Sequence, residues 1–156
     1  MLKSADDTSE LVALADLGVL RIAGADTERF LQGQLSNDMQ RLGSGHTQLS
    51  GYHNPQGRVI AVLQLVRAAP DAVLAVLPRE LAAKVAQRLA KFILRANVKI
   101  EDLSEKWRVD GLIGQAEPAA GGQGFVARVS ADADRSLHIR RADEGERARG
   151  DPHRWR

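Results

Sequence analysis

The chain has 156 residues, enough for one domain with a real core. Its 22 basic and 20 acidic residues nearly cancel, and 44% of positions are hydrophobic, which suits a globular protein rather than a disordered or highly charged one. With no cysteine, a disulfide scaffold, a thiolate nucleophile and a Cys-ligated metal or cluster are excluded within the chain.

Residues 1–10 are polar and acidic, unlike a secretory leader, and no apolar run approaches the roughly 20 residues that span a bilayer. The expectation is a cytoplasmic protein. Residues 11–15 and 19–22 are short apolar runs around Asp16-Leu17-Gly18. They read as a tight hairpin in which Gly18 takes an unusual backbone angle. Residues 25–35 read as a helix, opened by Asp26 and Thr27, with Phe30, Leu31 and Leu35 on its apolar side. Gly33 inside it costs about 1 kcal/mol relative to Ala.

Residues 47–53 alternate as a strand, and Asn54-Pro55-Gln56-Gly57 is a turn, since Pro presets φ and Gly accepts φ above zero. Residues 59–66 are apolar at both parities, which predicts a central strand covered on each side. Pro70-Asp71 turns the chain into a strand at 72–77. Pro78 then opens a helix to Leu94, at a position where its missing N–H costs nothing. Leu81, Val85, Leu89, Phe92 and Ile93 share one face of that helix; Lys84, Gln87, Arg88, Lys91 and Arg95 fall mainly elsewhere.

Strands follow at 98–103 and 107–113, the second with Trp107 and Val109 on one side. Residues 115–124 are rich in Gly, Ala and Pro and read as a loop. Residues 125–129 and 136–139 are short strand candidates. Residues 140–156 carry many Arg and acidic residues and few apolar ones, so they are expected to be irregular or poorly ordered. The order of elements from 11 to 113 implies an α+β fold: a ferredoxin-like, split β-α-β sheet with helices on one face.

Few motifs carry chemistry. His46, His53, His138 and His153 lack metal-ligand spacing, so no metal site is expected. Gly121-Gly122-Gln123-Gly124 lacks the Lys-Ser/Thr of a phosphate loop. The Arg-rich tail is interrupted by Asp143, Glu144, Glu146 and Asp151, which argues against nucleic acid. Asn37 and Asp38 either cap local backbone or help shape a pocket. Tyr52, the single tyrosine, either stacks on a ligand ring or fills the core. Arg58 is either a solvated surface residue or a bidentate partner for a carboxylate.

Three segments, at specific spacing, resemble one known family. They are Phe30-Leu31-Gln32-Gly33-Gln34 with Ser36-Asn37-Asp38, the Pro55-Gln56-Gly57 turn, and Lys91-Phe92-Ile93-Leu94-Arg95 leading into Val98-Lys99-Ile100. The chain resembles the amino-terminal part of the YgfZ family over residues 11–114. That family is similar to the glycine-cleavage T-protein, an aminomethyltransferase, and is linked to tetrahydrofolate and to iron–sulfur proteins. The resemblance implies a folate-binding domain over residues 1–114, with residues 115–156 as loop, short strands and an apparently truncated tail. It implies tetrahydrofolate as the ligand, held by Tyr52 against the pterin, Arg58 against the glutamate tail, and Asn37 and Asp38 beside the pocket. It further implies support of iron–sulfur client proteins.

Two departures qualify the activity. The strand after the Gly turn carries an aspartate pair in the aminomethyltransferases, one of them catalytic; here the matching positions are Ala61 and Val62. An apolar side chain cannot orient or protonate an amine, so no catalytic residue is assigned. The family's Lys-Gly-Cys-Tyr-x-Gly-Gln segment has no counterpart. The rival readings are a folate-dependent aminomethyltransferase and a ligand-free partner-binding domain.

Overall fold

The computed structural model describes residues 10–114, 124–129, 134–144 and 148–155. In chain order they form strands β1 (Glu10–Ala13) and β2 (Leu17–Ala23), helix α1 (Thr27–Gln34), a 3₁₀ turn (Met39–Arg41), and strands β3 (Thr47–His53), β4 (Val59–Ala69) and β5 (Ala72–Pro78). Helix α2 (Arg79–Ala90) follows, then β6 (Lys99–Asp102), β7 (Trp107–Ile113), β8 (Phe125–Arg128), β9 (Arg135–Arg141) and a second 3₁₀ turn (Pro152–Trp155). Residues 115–123, most of the expected Gly-rich loop, lie outside the described residues.

The larger sheet has the order β3-β4-β5-β2-β6, with every pair antiparallel. Without its edge strand β3, it is a split β-α-β sheet: β5 lies between β2 and β4, which α1 connects. Both helices cover one face. Phe30 and Leu31 from α1, and Ala82, Val85 and Leu89 from α2, pack with Leu20, Ile22, Leu63, Leu65, Val73, Ala75 and Leu77. The opposite face packs on a second antiparallel sheet, β1-β7-β9-β8, through Val19, Val66, Leu74 and Val76 against Val12, Val109, Ala127, Leu137 and Ile139. The fold is α+β, in three layers: helices, five-stranded sheet, four-stranded sheet.

Four local expectations need correction. The runs at 11–15 and 19–22 are not a hairpin. β1 pairs with β7 in the small sheet, while β2 pairs with β5 and β6 in the large one. Gly18 is not in the left-handed region. It is small because a Cβ there would stand 2.5 Å from Ser104 Oγ and 3.2 Å from Arg79 Cα. The strand covered on both sides is β5, buried from Ala72 to Leu77, whereas β4 lies next to the edge and leaves Val59 and Val62 in solvent. Helix α2 ends at Ala90 rather than Leu94, and the turn after it points Phe92 outward while Ile93 packs on the core.

The tail is more regular than its composition suggested. β9 runs to Arg141, and residues 148–155 dock on the start of β1. The Gly150 amide donates to Leu11 O at 2.9 Å and the Asp151 amide to Glu10 Oε1 at 2.8 Å, while Arg154 pairs with Glu10. Trp155 packs against the second core, above Gly111, where a Cβ would fall 2.4 Å from the indole ring. Outside β9 and the second 3₁₀ turn the described tail is irregular, and Trp155 and the contacts to Glu10 tie it to the small sheet.

Candidate functional site

The residues that carry chemistry or carry the resemblance converge on the β3–β4 hairpin. Its turn is an Asx-turn with a glycine exit. Asn54 Oδ1 accepts from the Gln56 amide at 3.1 Å and the Arg58 amide at 2.9 Å, and Gly57 sits at φ 79°. The Asn54 amide donates to Arg58 O at 2.9 Å, which closes the hairpin. Arg58 therefore leaves a rigid turn with its side chain exposed.

The hairpin's outer edge is not bare. The Ser36 amide donates to Gly51 O at 3.0 Å, Ser36 Oγ accepts from the Gly51 amide at 2.8 Å, and Leu35 bridges Tyr52. The Asn37 amide donates to Ser50 Oγ at 3.1 Å, and its side-chain amide donates to Leu49 O. Asp38 Oδ1 caps the first 3₁₀ turn by accepting from the Gln40 amide at 3.0 Å, and Asp38 O accepts from Gln48 Nε2 at 2.9 Å. Ser36-Asn37-Asp38 thus occupies the free hydrogen-bonding edge of β3. Asn37 and Asp38 are both exposed and both spend polar atoms on this clamp.

The strand pairing separates the two faces of the hairpin. Tyr52 opposes Ala61 and Ser50 opposes Leu63; these side chains face the helices. Tyr52 is 2% exposed, with Arg88 the charged neighbour of its hydroxyl. Burial raises its pKa, and the charge of Arg88 and a side-chain hydrogen bond to it work against that rise. The geometry puts Tyr52 in the core beneath the hairpin, while Arg58 emerges at its tip.

On the other face, Leu49 opposes Gln64 and Gly51 opposes Val62. Leu49, Val59 and Val62 are exposed large apolar side chains, beyond the reach of the small sheet. The alternation sorts the two positions of interest. Ala61 is 3% exposed in the core and Val62 is 53% exposed on the open face. A carboxylate at 61 would be buried beside apolar groups; one at 62 would stand on the surface. Neither position can move a proton. The open face offers van der Waals surface, with His53 paired across from Val59 and Arg58 leaving the turn next to it in sequence. Among the described residues, no group of three or more His, Asp or Glu could hold a metal.

An apolar run at both parities conceals this open face in the sequence. The signal was present in Leu49 and Val62 as apolar residues, but periodicity cannot separate a solvent face from a buried one. Among the described residues, no helix is long and apolar enough to cross a membrane.

No family model matches the chain. Curated relatives do. The mitochondrial iron–sulfur cluster assembly factor IBA57 homolog of Mycosarcoma maydis is 35% identical over 122 residues, which is 68% of this chain and 30% of that protein. The tRNA-modifying protein YgfZ of an Enterobacter species is 37% identical over 57 residues, or 36% of this chain and 18% of that protein. The chain therefore spans less than two-thirds of the length of either relative. Among solved structures, the glycine cleavage system aminomethyltransferase T from Bartonella henselae superposes with a TM-score of 0.66. That match has 17% identity, covers 84% of this chain and 41% of the enzyme, and speaks for the fold alone. Together these relatives and this architecture show that the chain belongs to the YgfZ-like family.

Proposed function

We propose that this chain forms a tetrahydrofolate-binding face and supports iron–sulfur cluster assembly or repair, without catalysing aminomethyl transfer. The observation that carries the reading is the open face of the β3–β4 hairpin. It is apolar, built on a rigid turn, and bears Val62 where the resemblance to aminomethyltransferases expects a carboxylate. A flat ring can lie on Leu49 and Val62 with little loss of hydration, and Arg58 supplies a guanidinium for a carboxylate tail. Asn37 and Asp38 hold the hairpin's edge, and Tyr52 supports it from below. The iron–sulfur part rests on the named role of the Mycosarcoma maydis relative.

Calorimetric titration with tetrahydrofolate tests the ligand. Saturable binding is expected. Arg58→Ala should weaken it by roughly tenfold, since a hydrogen bond to a charged group is worth on the order of 1.5–3 kcal/mol and this one is solvent-exposed. Tyr52→Ala should weaken binding only as far as it loosens the hairpin, so its loss in affinity should track its loss in thermal stability. Absence of any binding heat would remove folate from the reading. An assay of aminomethyl transfer from a lipoyl carrier should show no turnover above a no-protein control. Iron–sulfur enzyme activity in a host lacking its own copy of the gene tests the cellular role; unchanged activity on complementation would overturn it.

A further inference from the structure

The turn after α2 holds Leu94 in a state that is unfavourable twice over. Its φ of 49° is left-handed, a region suited to Gly or Asn at a helix end, and among the described residues it is the one non-glycine with positive φ. Its side chain is also 88% exposed. Neighbouring Phe92 is 49% exposed, while Ile93 between them packs inward and anchors the turn. The turn is tied by the Phe92 amide to Leu89 O at 3.0 Å and the Ala96 amide to Ile93 O at 2.8 Å. Nothing in the chain's own packing asks for an aliphatic residue at 94; glycine would relieve both costs.

Along this stretch of sequence the charge is one-sided, and the carboxylate that reaches its end is that of Asp26, which accepts from the Asn97 amide at 2.7 Å. From Leu81 to Val98 there is no Asp or Glu, while Lys84, Arg88, Lys91 and Arg95 contribute four positive charges in a chain whose net charge is +2. Lys84, Lys91 and Arg95 are exposed.

We propose that Leu94 and Phe92 form a docking knob for a partner protein that presents an apolar socket rimmed by carboxylates. The two apolar groups supply the buried contact, and the cations steer and orient the approach. A nucleic acid fits less well: the more exposed group is aliphatic, and single strands are held by stacked aromatic rings. The inference does not depend on folate binding.

The test uses the intact chain with a photo-crosslinking amino acid in place of Leu94, expressed in cells, and with Leu94→Gly and Lys91→Glu/Arg95→Glu variants. The expected result is one dominant protein adduct, abolished by the double charge reversal. That protein, once purified, should bind the unmodified chain, with affinity falling at least tenfold in Leu94→Gly and weakening as salt rises. Leu94→Gly should leave the thermal midpoint of the free chain unchanged or raise it. A fall in that midpoint would make Leu94 a structural residue and overturn the proposal. So would Leu94-dependent binding to vesicles of phosphatidylcholine and phosphatidylserine, Leu94-dependent binding to unfractionated tRNA, or Leu94-dependent self-association in ultracentrifugation. An adduct whose purified protein binds Leu94→Gly as well as the unmodified chain would also overturn it.

Discussion

Gly24 shows how much one missing side chain can decide. It closes β2 at φ 135°, a conformation L-residues rarely adopt, and a Cβ there would lie 2.2 Å from Asn97 O. The contact cannot relax cheaply, because the Asp26 amide donates to Asn97 O at 3.1 Å and Asp26 Oδ2 accepts from the Asn97 amide at 2.7 Å. Gly24→Ala should therefore cost at least about 2 kcal/mol, combining backbone strain with a displaced loop. A denaturant midpoint that falls, with an unchanged slope, is the expected readout. Leu89 makes the complementary case for a filled position. It is fully buried between α2 and the large sheet, so Leu89→Ala should cost about 2–5 kcal/mol by the same measurement.

At the scale of elements, Arg67 joins pieces that the sequence leaves unconnected. From β4 its guanidinium donates to Leu42 O at 3.0 Å, Pro70 O at 3.1 Å and Met39 O at 3.3 Å, and pairs with Glu28 at 3.0 Å. It thereby ties α1, the first 3₁₀ turn and the β4–β5 connection to one strand. The Glu28 side chain is 45% exposed, so solvent screens that ion pair and lowers its contribution. The carbonyls matter more, because removing their donor leaves acceptors unpaired. Arg67→Met should cost about 1–3 kcal/mol and Glu28→Gln less than about 1 kcal/mol. Equal losses would mean that the ion pair carries the joint.

Such long-range joints explain which parts of the fold were legible. The helix opened by Pro78, though not its end at Ala90, the strands at 47–53 and 72–77, and the split β-α-β order follow from local period and turn chemistry, which act within a few residues. The pairing of β1 with β7 did not follow, because residues 10–13 and 110–113 lie at opposite ends of the segment that builds the large sheet, beyond the reach of any local pattern. The site was legible as a set of positions around the Asn54–Gly57 turn. Its two faces were not, since apolar residues at consecutive positions carry no parity until β3 and β4 pair and the small sheet stops short.

The whole molecule depends on two sheets meeting along one core, and the outer side of the small sheet carries a charged group opposite that core. Asp110, 1% exposed, accepts from Arg140 Nε at 3.0 Å and pairs with Arg108 at 3.4 Å. His138 stands directly across from Asp110 in the β7–β9 pairing. Burial lowers the pKa of His138 and Arg140 lowers it further; Asp110 opposes this and Arg108 adds to the lowering. The folded state thus holds His138 neutral at pH values where the unfolded chain already protonates it. Above the unfolded value of about 6.5, both states are neutral and His138 exerts no pH dependence. As pH falls below about 6.5, the unfolded state gains the proton first and stability drops, until the lowered folded pKa is passed. His138→Gln removes the titration while keeping a polar side chain. The unfolding midpoints of the two proteins should run parallel above about pH 7 and diverge below about pH 6.5, with the unmodified chain losing more. Divergence in the opposite sense would mean that Asp110 outweighs burial and the two arginines, and that the small sheet is clamped by a protonated histidine instead.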